Sequence, residues 1–140
     1  MGQATLVEMQ IQNGHRLIDR LVREGIAVIA ACWVQESESG DWYLYLATPL
    51  VGEDGATILA YRRVNTVIRT MQKEGILIGP IDIKVIGPHD PIARDVVASL
   101  GGQPPRTLTR YRGGRLGELA FEEAFVYPPA AKPEKAAGVS

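Results

Sequence analysis

Apolar and polar positions divide the chain into stretches of different period. Near its start Val7, Ile11, Ile18, Leu21 and Val22 recur close to helical spacing, the pattern of a helix with one buried face. Thr5-Leu6-Val7-Glu8 has the S/T-x-x-E form that caps a helix reciprocally, and Gly25 supplies a left-handed stop. A helix is therefore predicted over 5–24. Val7, Met9 and Ile11 also alternate with Glu8, Gln10 and Gln12, and Asn13-Gly14 is turn-like, so a strand over 7–12 is the competing reading.

Ile26 to Gln35 and Trp42 to Val51 are rich in β-branched and aromatic residues and are separated by the polar run ESESGD, which predicts a hairpin. Gly52-Glu53-Asp54-Gly55 ends the second strand. Asp54 is then read as the cap of a helix running to about Glu74, with Gly75 beyond its end. On that helix Ala60, Tyr61, Val64, Val67, Ile68 and Met71 share one face, and Arg62, Arg69 and Lys73 form a stripe opposite. Gly79-Pro80 and Gly87-Pro88 bracket IDIKVI, whose alternation predicts a half-buried strand. His89-Asp90-Pro91 opens a short helix that Gly101-Gly102 ends. Thr107 to Tyr127 holds two more strands around RYRGGRLGE. A turn centred on Gly113-Gly114 is expected to reverse them, setting Glu118 opposite Thr109 and diagonal to Arg110.

The order α-β-β-α-β-α-β-β predicts a single α+β domain over 1–127, in two layers: a mostly antiparallel sheet with three helices. The Pro-, Ala- and Lys-rich stretch 128–140 reads as a disordered tail. One strand complicates the two-layer picture. The longest apolar run is Ile26 to Val34, and alternation places Ile26, Val28, Ala30, Cys32 and Val34 on one face and Ala27, Ile29, Ala31 and Trp33 on the other. Both faces call for cover. Either a helix shields each side, or the second face, carrying Ile29 and Trp33, meets a second copy.

Composition narrows the class. The 140 residues are 46% apolar and 22% charged, ordinary proportions for a globular domain of a size that buries a core without disulfides or metal. The nine-residue apolar run is far short of the roughly 20 a membrane-spanning helix needs. The first basic residue is Arg16, which is not the pattern of a secretory signal, so a cytoplasmic location is expected and no membrane partner. The single cysteine, Cys32, is read as a small core residue. Net charge is −1, yet 56–73 and 106–115 each carry four basic residues and no acid. The second block is Arg106, Arg110, Arg112 and Arg115.

Candidate chemistry is sparse. A carboxylate beside an imidazole suggests general-base work at His89-Asp90, but a helix-entry turn accounts for Asp90. His15 has no evident carboxylate companion and reads as a surface histidine. The acids Glu53-Asp54, Glu122-Glu123, Glu36, Glu38 and Asp41 read as turn and surface charge. Neither a Gly-Lys phosphate loop nor G-x-G-x-x-G occurs, and no cofactor or metal site is expected. The expected function is that of a small, non-catalytic, bacterial-type protein that binds itself or another protein. Binding of nucleic acid or another polyanion through Arg62, Arg69, Lys73, Arg110, Arg112 and Arg115 is the alternative. A small hydrolase using His89 or the acidic pairs is the weaker third.

Overall fold

The apolar run 26–34 supplies the middle of a five-stranded sheet. The computed structural model describes residues 8–52, 54, 56–76, 82–100 and 108–128. The elements are α1 (Glu8–Arg23), β1 (Ala30–Glu36), β2 (Trp42–Ala47), α2 (Ile58–Lys73), β3 (Ile83–Ile86), α3 (Pro91–Leu100), β4 (Thr109–Leu116) and β5 (Leu119–Val126). This is the order the hydrophobic pattern predicts, in an α+β domain. The sheet is ordered β3-β2-β1-β5-β4 and is antiparallel except between β2 and β3. That one parallel pair follows from α2, a crossover helix that returns the chain so that β3 repeats the direction of β2.

Both faces of β1 are covered by helices. Ala31 and Trp33, with Leu44, Leu46 and Val85, pack under Leu17 and Leu21 of α1 and Val64 and Met71 of α2. Ala30, Cys32, Val34 and Tyr45 face the other way, toward Ala93 and Val96 of α3. Two helices thus share one face and the third adds a partial layer on the opposite side, where a simple two-layer stack has none. Trp33 is only 1% exposed. It belongs to the core beneath α1 and is no part of an open sheet face, whereas Ile29 is 40% exposed. Strict alternation from residue 26 also fails, because β1 begins at Ala30. Ile26 and Val28 consequently pack with Ala31 and Trp33.

Residues 8–12 are helical, so the apolar stripe sustained along α1 prevails over the short alternation that suggested a strand. Asp54 does not cap α2. Its Oδ1 accepts the Ala56 N–H at 3.0 Å in the turn before, and Thr57 stands at the N-cap without a side-chain cap bond. Asp90 does cap α3, accepting the Ile92 N–H at 2.9 Å. Thr5, Glu53, Gly79-Pro80, Ile81, Gly101-Gly102, Arg106 and the tail from 129 lie outside the described residues. Among the described residues no helix is long and apolar enough to cross a membrane.

The largest difference from the sequence reading is the last hairpin. Its turn is at Gly117-Glu118, and Gly113-Gly114 lie within β4, with Arg112 opposite Glu123, Gly114 opposite Phe121 and Leu116 opposite Leu119. The cause is on the neighbouring strand. The β1–β5 register shifts between Gln35 and Glu36, so that Gln35 opposes Glu123 but Glu36 opposes Phe121. This bulge turns Phe121 from the side of Phe125 to the side of α3. β4 follows the same distortion through Gly113 and Gly114, whose φ values of 67° and 150° suit glycine. The Phe121 ring fills the space above Gly114, where a Cβ would come within 3.2 Å of Cζ.

Candidate functional site

The two sheet edges differ. At β3 the backbone N–H of Val85 donates to the Tyr61 hydroxyl of α2 at 2.9 Å, so one outward donor of this short edge strand is satisfied by its own crossover helix. At β4 no backbone or side-chain partner meets the eight-residue outer edge among the described residues. An unpaired edge of this length presents a row of donors and acceptors to any extended chain.

The arginines decorate this open edge. Arg110 opposes Phe125, which packs against the cluster under α1 and α2, so Arg110 and Arg112 project on that side of the sheet. Beyond the glycine pair, Gly114 and Leu116 oppose Phe121 and Leu119 on the α3 side, and Arg115 between them projects with the other two arginines. Arg110 Nε donates to Glu123 Oε2, and its guanidinium lies 5.7 Å from the Phe125 ring centroid. Arg115 donates to the Glu118 carbonyl at 3.5 Å. Arg112 is exposed and has no ion-pair partner among the described residues.

On the other side of the same strand an apolar groove of about 490 Å³ runs between α3 and β4. Tyr111, Leu116, Phe121, Ala124 and Val126 line it, with Asp95 and Ala98 on the helix side. Asp95 fixes the hairpin against α3, since its Oδ2 accepts the Gly117 N–H at 2.6 Å.

The basic stripe of α2 is elsewhere. Arg62, Arg69 and Lys73 are exposed on the helix that packs on β2 and β3. They are on the same side of the sheet as the β4 arginines but at the opposite edge. Four inter-strand steps separate β3 from β4, roughly 19 Å. The two basic groups therefore do not merge into one patch.

Two further clusters carry titratable side chains. A cleft of about 410 Å³ lies at the carboxyl ends of β2 and β3, lined by Pro49, Val51, Thr57, Gly87, His89 and Asp90. Ligands of parallel α/β units favour such a position. Here the Asp90 carboxylate is already engaged as the cap of α3, and its charge opposes an anion. Asp90 is engaged by the helix and not by His89. The second cluster is on the α3 side of the sheet, where Tyr45 donates to Glu36 Oε2 at 2.5 Å and Lys84 Nζ donates to the same oxygen at 2.9 Å. Lys84 also sits 4.1 Å from the Tyr43 ring centroid. Burial first, and then the Glu36 carboxylate, hold the Tyr45 phenol above its ordinary pKa, so it is a donor and not a base. The network ties β3 to β1 across β2.

Glu36 is thus no turn charge: it is 9% exposed and shared by two partners. His15 does have a carboxylate nearby, Asp19 at 3.5 Å one helical turn on, with both side chains exposed. Cys32 is 1% exposed, and burial pushes its thiol up to about 12, which keeps it a packing residue at neutral pH. Sequence reasoning missed the edge contact of Tyr61, since its place on the apolar face of α2 gives no hint that its hydroxyl meets a strand edge. Comparison with protein-family models, with curated proteins and with solved structures gave no match for this chain.

Proposed function

We propose that the protein is a small binding module acting by protein interaction, with the β4 side of the sheet as its contact surface. One observation carries this reading: Tyr61 takes up an outward N–H of the short strand β3, while among the described residues the eight-residue outer edge of β4 meets no partner and lies beside an apolar groove. A second copy and another protein are the two kinds of occupant. Hydrogen exchange on the free chain tests the surface itself. Outward amides of β4 should exchange far faster than those of central β1, and equal protection on both strands would remove the reading.

Binding of a polyanion is the second reading, supported by the six exposed cations on one side of the sheet. Their division between two edges requires a ligand that crosses α1 to touch both. Charge reversal at Arg62, Arg69 and Lys73 should then weaken binding of duplex DNA or RNA at low salt, and each lost phosphate contact should lower the salt slope by about 1. An unchanged slope removes it.

A further inference from the structure

We infer that the occupant of the β4 edge is an extended acidic segment of another protein, added as a sixth strand, in which acidic and apolar residues alternate. This inference rests on the reading of β4 as the contact surface and goes on to name the partner's chemistry. Successive side chains of an added strand point to opposite faces of the sheet. On one face they would meet Arg112, with Arg115 projecting on the same side beyond the irregularity at Gly113-Gly114; on the other they would meet the groove floored by Leu116, Phe121 and Ala124. Arg110 is already paired with Glu123, so Arg112, for which β5 offers no second carboxylate at that register, is the principal unanswered charge of this edge among the described residues.

The same arginines argue against a second copy. Antiparallel self-pairing centred on Arg112 sets that residue opposite its own image, and the register that matches Arg110 with Arg115 opposes like charges twice. Like charges directly across a strand pair are destabilising, and charged edges are a common device against self-pairing. A carboxylate at the facing position reverses the sign, so the charge that blocks self-pairing selects an acidic partner. A nucleic acid could meet the arginines, but it would leave the backbone edge unpaired and the groove unfilled.

The test uses the full chain, isotope-labelled, with three probes: an acetylated ten-residue peptide alternating Glu and Val, the same peptide with Lys for Glu, and a short single-stranded RNA. Chemical shifts and amide exchange are followed at low and moderate salt. The Glu/Val peptide should shift β4 resonances, slow exchange along the outer edge and bind about tenfold or more tightly than the Lys/Val peptide. Arg112→Glu with Arg115→Glu, both at exposed positions, should abolish that preference, while Arg69→Glu on α2 should leave it intact. Equal binding of both peptides, or a preference that survives the double reversal, overturns the acidic partner and leaves the open edge standing. Self-association through β4 without peptide, or RNA shifting the arginine resonances with no gain in edge protection, overturns it likewise. Slow exchange of β4 in the free chain defeats the edge reading itself.

Discussion

At the scale of single residues, Gly14 shows how one missing methyl group can organise a core. The Trp33 indole N–H donates to the Tyr127 hydroxyl at 3.0 Å, and that hydroxyl donates to the Ile11 carbonyl at 2.6 Å. A Cβ on Gly14 would stand 2.3 Å from the same oxygen. Gly14→Ala gains about 1 kcal/mol of helix propensity, yet overpacking costs typically 1–3 kcal/mol, so net destabilisation is expected in urea unfolding. Tyr127→Phe leaves a buried indole N–H unsatisfied and should cost about 1–3 kcal/mol. The two are coupled: with the hydroxyl gone, Gly14→Ala should cost less, and a double-mutant cycle that shows simple additivity would contradict the contact. Nothing in Asn13-Gly14 reveals this, because the dipeptide looks like a turn and its role depends on a ring more than a hundred residues away.

Titration belongs to the same scale. Burial raises Cys32 from an ordinary 9.0 to about 12 and holds the Tyr127 phenol above its ordinary 10.0. Both are acids kept neutral by the fold, so their contribution is complete below the unfolded-state values and is lost as pH rises past them. Unfolding free energy should therefore fall above about pH 9, by up to about 1.4 kcal/mol per pH unit for each group ionised only in the unfolded chain. Denaturant titrations from pH 8 to 11 check this, and Cys32→Ala should move the onset toward pH 10. A flat profile would mean that neither group is buried as described.

Among elements, the hairpin β4–β5 shows where the pattern misleads. Gly113-Gly114 has the composition of a turn, but the bulge opposite Gln35 and Glu36 puts the demand for glycine inside the strand. Bulges arise from pairing between distant strands, so a local motif does not reveal them. The helices were legible because their stripes are long; the side on which α3 packs was not, since an apolar face does not say which sheet surface it meets. The true turn is held to α3 by Asp95. Gly117 has φ 61°, and a Cβ there would lie 2.8 Å from Pro91 Cβ. Gly117→Ala should destabilise by about 1–3 kcal/mol in thermal or urea unfolding, and a neutral result would argue against the observed turn.

For the whole molecule, the contrast between the two edges is the feature with most reach. Tyr61→Phe removes the acceptor of the outward Val85 N–H on β3. It should cost about 1 kcal/mol and speed exchange at Val85, whose outward N–H would lose its partner. If Val85 exchange is unchanged, Tyr61 does not hold that N–H. The charge blocks were visible in the sequence as clusters near 62–73 and 110–115. Their separation by the width of the sheet was not, because it depends on the strand order β3-β2-β1-β5-β4.

That strand order also governs how the molecule assembles. β1 finds β2 across a short turn, but its other neighbour is β5, and the Trp33–Tyr127 hydrogen bond joins residues 94 positions apart. Long-range closure of this kind is entropically costly and slows folding relative to local pairing. The final hairpin, by contrast, is built from adjacent strands and can form as a unit before it docks. A chain in which that hairpin has not docked would expose the apolar edge of β1, the kind of unpaired edge that promotes aggregation. The arginine-bearing hairpin is therefore also the closing piece of the sheet.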